Sequence, residues 1–131
     1  MTFNQGEDLI IELSITDSSG SVDLTDALEI RAIPSITSAN VVTEQVPRYS
    51  FTPKSGYGKI AKKSGQGNEN IIQIFLERQQ TAAFAAGVLS FVVATRFENV
   101  AFPSGFEHKE YVFSNTATVN AIGPISTEPL P

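Results

Sequence analysis

Leu9, Ile11, Leu13 and Ile15 alternate with Ile10, Glu12, Ser14 and Thr16. A chain that sets an apolar row at every second position can bury that row on one side only by running extended, because successive strand side chains point to opposite faces. The same period returns in Leu28, Ile30 and Ala32, in Ile72, Ile74 and Leu76, and in Leu89, Phe91, Val93 and Phe97. Such rows commit most of the chain to strands, and they stay out of water only in a fold that turns them toward one another.

The residues between the rows set the element boundaries. Asp17, Ser18, Ser19 and Gly20 close the first strand in a turn, where short polar side chains bond the backbone and Gly20 accepts a positive φ. The second row is expected to stop at Pro34, which cannot donate to a central ladder, and so to be shorter than the first. Residues 40–51 are β-prone but broken by Pro47, which predicts an edge strand or two short ones. Residues 54–70 hold four glycines and four lysines, so a short strand over 57–61 and a turn over 64–70 are expected. At residues 77–86 the period changes: helix formers followed by Gly87 as a stop predict about two turns of helix, with Phe84 anchoring it over an open end of the β core. A last strand is predicted over 111–121, where Tyr111 and Phe113 take the opposite parity from Val112 and a bulge at 114–116 is expected to reconcile them.

With 131 residues, 41% of them apolar, the chain can fill one packed core and is too short for two ordinary domains. Several short strands and a single helix predict one antiparallel β-sandwich, immunoglobulin-like or related, over residues 1–121, followed by a Pro-rich tail over 122–131; an open β-barrel is the alternative. Leu13, Ile30, Ile74, Phe91 and Val119 are expected at the centre of the core. Each buried large side chain is worth about 1.5–3 kcal/mol there, against about 1 kcal/mol or less for a surface ion pair, so the core decides folding.

Motifs that carry chemistry are sparse. The chain has no cysteine, which excludes thiol nucleophiles, disulfides and thiolate metal sites. A net charge of -5 argues against coating nucleic acid, and neither a signal-like start nor a segment of membrane-spanning length is present in the sequence. His108 stands beside Glu107 and Glu110, but neighbours in an extended segment point to different faces, so no metal site is expected. No nucleophile elbow marks a serine hydrolase. Asp17, Asp23, Asp26 and Glu29 could act as acid and base carboxylates, yet their setting is that of turns and strand entry. The sequence Gly56, Tyr57, Gly58, Lys59 lacks the first glycine and the magnesium-holding Ser or Thr of a phosphate loop. Accordingly no catalytic residue, cofactor or metal is assigned.

Two contact surfaces remain. Lys54, Lys59, Lys62 and Lys63, near Tyr49 and Tyr57, read first as a solvated loop and alternatively as a contact for an acidic partner. Phe97, Phe102 and Phe106, in a connection stiffened by Pro103, read as an apolar knob for a neighbouring subunit or, alternatively, as a segment folded back over the domain's own core, and Phe3 and the Pro-rich tail are further candidate contacts. The competing function is a carbohydrate-binding module, which would need an exposed ring platform from Tyr49, Tyr57 or Tyr111.

The order of signals, FNQGEDLIIELSITDSSGSVDLTDALEIRA followed by IIQIFLERQQTAAFAAGVLSFVV, resembles the amino-terminal β domain of phage baseplate upper proteins and related virion attachment modules. In this resemblance residues 6–16 supply the opening strand, residues 22–25 approach the next, and residues 76–87 supply the short helical connection. It implies a non-enzymatic virion structural protein, an adaptor or decoration module in the baseplate, neck, head or fibre attachment. Its partners would be other virion proteins, with the chain present as a homo-oligomer or in many copies, and with neither nucleic acid nor membrane as a partner. It would reside in the virion, and in the host cytoplasm before assembly.

Overall fold

A computed structural model of the chain describes residues 1–122, which are mainly strand with one short helix. In chain order the strands are β1 (Thr2–Asn4), β2 (Leu9–Ser14), β3 (Thr16–Asp17), β4 (Gly20–Ser21), β5 (Glu29–Ser38), β6 (Val41–Glu44), β7 (Tyr49–Ser50), β8 (Gly58–Lys62) and β9 (Ile71–Leu76). Helix α1 (Arg78–Ala83) then leads into β10 (Gly87–Glu98) and β11 (Phe106–Asn120). β3 and β4 make a separate ribbon around the expected turn, where the Ser19 N–H donates to Asp17 Oδ1 at 2.8 Å and Gly20 takes a φ of 112°.

The remaining nine strands form one sheet in the order β1-β11-β10-β5-β7-β8-β9-β2, with β6 also paired to β5. Pairing is antiparallel except between β1 and β11 and between β7 and β8. The two ends of this path, β1 and β2, are neighbours in sequence and are joined only by residues 5–8. Laid flat, eight strands at about 4.8 Å spacing would put these edges about 34 Å apart, whereas five Cα steps of 3.8 Å reach at most about 19 Å. The sheet therefore curls on itself into a half-barrel, and a single mixed sheet stands where an antiparallel sandwich of two sheets was expected. Alternation reports that one face of each strand is buried, and a curled sheet satisfies that condition as well as two facing sheets do.

Helix α1 sits where the two edges approach. Thr81, fully buried, accepts from the Gly6 N–H at 3.1 Å and donates to the Glu7 carbonyl at 2.8 Å, while Gln5 Nε2 donates to the Phe84 carbonyl at 2.7 Å. Phe84 is 1% exposed and plugs the core, as its place after the helix predicts. The helix is shorter than expected and ends before Gly87. That glycine instead opens β10 at a φ of 144°, where a Cβ would lie 2.5 Å from the Thr37 carbonyl oxygen.

The inner face of the curl carries Ile11, Leu13 and Ile15; Ile30, Ala32 and Ile36; Ile72, Ile74 and Leu76; Leu89, Phe91 and Val93; Ala117 and Val119, all buried in one cluster, whereas Leu28 of the predicted second row precedes β5 and is 39% exposed. β5 runs straight through Pro34 and is longer than β2, against expectation. Pro34 accepts from the Gln45 N–H at 2.8 Å, so its backbone polar side turns away from β10, and its missing N–H falls where β6 has ended and β7 has not begun. The bulge in β11 forms as expected: between the pairs Leu89 with Ala117 and Phe91 with Phe113, β11 advances two residues further than β10, and Asn115 adopts a φ of 55°. An even excess keeps Tyr111, Phe113, Ala117 and Val119 on one side. β11 itself begins at Phe106, five residues before the predicted start.

Gly58 has a steric role. A Cβ there would lie 2.3 Å from the Tyr49 ring, which is fully buried and held through its hydroxyl to Gln80 Oε1 at 2.9 Å. Gly58→Ala is expected to cost about 2 kcal/mol by overpacking. Denaturant unfolding checks this, and in a Tyr49→Leu background most of the cost should vanish, because the obstructing ring is gone. An undiminished cost in that background would refute the clash.

Candidate functional site

Glu29 opens β5 and lies opposite Arg96 of β10, which in turn lies opposite His108 of β11. Glu29 is 8% exposed and its carboxylate is saturated. Oε1 accepts from the N–H groups of Ile30 at 2.9 Å and Thr52 at 3.0 Å; Oε2 accepts from Ser50 Oγ at 2.9 Å, from Thr52 Oγ1 and, more distantly, from Arg31 Nε at 3.4 Å. Burial opposes its charge, but these donors, Thr52 first among them, more than offset it and bring its pKa down from 4.5 to about 2. The carboxylate therefore stays ionised and works as the joint between β5 and the segment after β7.

Beside this joint a cleft of about 370 Å³ opens, lined by Arg31, Arg96, His108, Thr52, Thr95 and Glu29. Its two guanidinium groups are each held against a ring: Arg31 lies 5.3 Å from the centre of Tyr57 and Arg96 lies 5.2 Å from the centre of Phe106. Arg31 has one long bond to the occupied Glu29, and Arg96 has no carboxylate partner among the described residues. Thr95 is 2% exposed and turns inward, and its hydroxyl has no hydrogen-bond partner among the described residues. A larger groove of about 730 Å³ runs beside β2, lined by Ile10 and Phe75 together with Asp8, Glu77, Arg78 and Gln79.

The residues singled out from sequence scatter over the molecule. Phe3 is not a contact residue: it is 4% exposed, because β1 pairs with β11 and turns this ring into the core. Phe97 is half-buried against the same core, while Phe102 and Phe106 are 45% and 37% exposed. The lysines do not share one loop surface. Lys62 donates to the carbonyls of Thr25 at 3.1 Å and Ala27 at 3.0 Å, Lys63 pairs with Glu12 at 3.0 Å, and Lys54 and Lys59 lie over Tyr57 and Phe75. Asp17 and Asp23 each accept from an N–H two residues on, in turns. Among the described residues no three His, Asp or Glu side chains converge on a metal-sized site. The Pro-rich tail, apart from Ile122, lies outside the described residues.

Sequence reading passed over Arg31 and Arg96. Alternation sets each opposite an inward neighbour, Ile30 or Thr95, and so on the outer face; what it cannot give is the cross-strand register that makes them diagonal neighbours. No protein-family model matches the chain, and no curated protein matches it either.

Proposed function

We infer that the chain is a non-catalytic structural module that acts through protein–protein contacts, as an adaptor or decoration component of a phage virion present in many copies, made in the host cytoplasm and retained in the particle. The observation that carries the contact reading is the tip of the hairpin formed by the two longest strands, β10 and β11. There Val100 is 86% exposed, with Phe102 and Phe106 beside it. The tip is ordered by its own bonds: Asn99 N–H to the Gly105 carbonyl at 2.8 Å, Phe102 N–H to the Asn99 carbonyl at 3.2 Å, and Gly105 N–H to the Phe102 carbonyl at 2.9 Å. An apolar surface already fixed in shape loses little conformational freedom on docking. The resemblance to virion attachment modules supplies the setting.

The carbohydrate alternative finds no support in the rings on which it depended. Tyr49 is fully buried, Tyr57 is covered by Arg31 and Lys54, and Tyr111 is half-buried.

Phe102→Ala is expected to leave the unfolding midpoint within about 1 kcal/mol of the parent, since the ring stands away from the core, while weakening incorporation into particles by about tenfold or more. Purified particles carrying the parent or the variant, quantified by mass spectrometry, provide the measurement. A large folding defect would assign Phe102 to the domain's own packing; normal folding with normal incorporation would remove it from the interface; particles without the parent chain would overturn the virion role.

A further inference from the structure

The cleft between Arg31 and Arg96 has the makings of a receptor. We propose that it binds a single carboxylate group, with the two guanidinium groups as jaws, His108 at the rim, and Thr52 along the wall. This goes beyond the assembly reading and does not rest on it, because the cleft lies on the sheet face and would serve a carboxylate whether or not the chain is part of a particle.

Three observations support it. The charge in the cleft is unbalanced: Glu29 supplies one negative charge, Arg31 and Arg96 supply two positive ones, and Glu29 has five donors of its own that occupy both of its oxygens. Among the described residues the guanidinium nitrogens other than Arg31 Nε make no hydrogen bond, so their donors remain for a ligand. Both groups are also placed in advance, since Arg31 rests on Tyr57 and Arg96 on Phe106, and a stacked guanidinium has less freedom to lose when it engages an anion.

The geometry points to a carboxylate rather than a larger anion. Arg31 pairs with Ala94 and Arg96 with Glu29, so the two arginines are diagonal neighbours on adjacent antiparallel strands, with Cβ atoms about 7–8 Å apart. Two long side chains from that spacing can converge on one planar group, and the guanidinium fork matches two coplanar oxygens. Glu29 beneath them favours the ligand of lower charge, a monoanion over a doubly charged phosphate. A volume of about 370 Å³ admits a small acid, or one Glu or Asp side chain reaching in from a partner, and little more.

The test is a titration of the isotope-labelled full chain, followed by nuclear magnetic resonance at constant ionic strength, with sodium acetate, inorganic phosphate and sodium chloride as probes. Saturable shifts centred on Arg31, Arg96 and His108 are expected with acetate and absent with chloride. Arg96→Gln, an exposed change, should weaken acetate binding at least fivefold with the remaining spectrum intact. Phe106→Leu, which keeps the charge and removes the ring that places it, should weaken it less. Shifts shared equally by chloride, an unaltered affinity in Arg96→Gln, or phosphate binding more tightly than acetate would each overturn the assignment. A blocked tripeptide with a central Glu separates the sources: tighter binding than acetate places the carboxylate on a protein partner, and equal binding places it on a free small acid.

Discussion

Phe91→Asp is expected to abolish stable folding. Phe91 is 1% exposed at the middle of β10, paired with Pro34 of β5 on one side and Phe113 of β11 on the other, and its ring meets Tyr49 edge-on at 6.5 Å between centres. A carboxylate in its place loses hydration, and the hydroxyl of the Tyr49 ring it would meet already donates to Gln80. The cost exceeds about 4 kcal/mol, against a total stability of about 5–15 kcal/mol for a domain. Val112→Asp is the control for register. Val112 is 71% exposed on the opposite face of β11, and the same charge there should cost under about 1 kcal/mol. Thermal and denaturant unfolding read both. A Phe91→Asp midpoint equal to the parent's would mean that the inner and outer faces have been exchanged.

That test asks of the folded chain what the alternation asserted from the start. Ile72, Ile74 and Leu76 could be placed inside because a strand's faces follow from a period of two, which is a property of neighbouring residues alone. The turn at Asp17 and the anchor at Phe84 were legible for the same reason, as each depends on residues within a few positions. Pro34 was misjudged because its tolerance depends on where β6 ends and β7 begins, a matter of sheet order rather than of local pattern. Gly87 read as a helix stop, but its freedom serves the approach to Thr37, fifty residues away in the chain. Whether the inner rows faced each other as two sheets or as one curled sheet was settled by the pairing of β1 and β2 at opposite ends of a single path, and no residue type encodes that order.

The candidate site shows the same division more sharply. Phe102 was legible as an exposed aromatic because it stands outside the alternating rows, whereas Phe3 and Tyr49 drew attention as rings and proved to be core. Arg31, Arg96 and His108 sit on three strands, and they meet only through the registers of β5 with β10 and β10 with β11. A sequence carries those registers only implicitly, in the sum of all the packing that fixes them.

Glu29 is where this hidden register has its largest electrostatic consequence, and it makes stability depend on acid. Its folded pKa of about 2 lies below its ordinary 4.5, so between those values the unfolded chain binds a proton that the folded chain refuses. The contribution is present in full above the ordinary value and is lost as pH falls toward 2. The whole shift corresponds to about 3 kcal/mol, of which about 2 kcal/mol is gone by pH 3. Glu29→Gln keeps an oxygen to accept from the Ile30 and Thr52 N–H groups and lets the Ser50 and Thr52 hydroxyls rotate, but it has no proton to gain in this range. Urea unfolding of both proteins at pH 7 and pH 3 should therefore show the parent losing about 2 kcal/mol more than the variant, which is less stable at pH 7 and nearly level at pH 3. Parallel losses in the two proteins would show that the Glu29 carboxylate is not held by the donors of Thr52, Ser50 and Ile30, and that the acid sensitivity of the fold lies elsewhere.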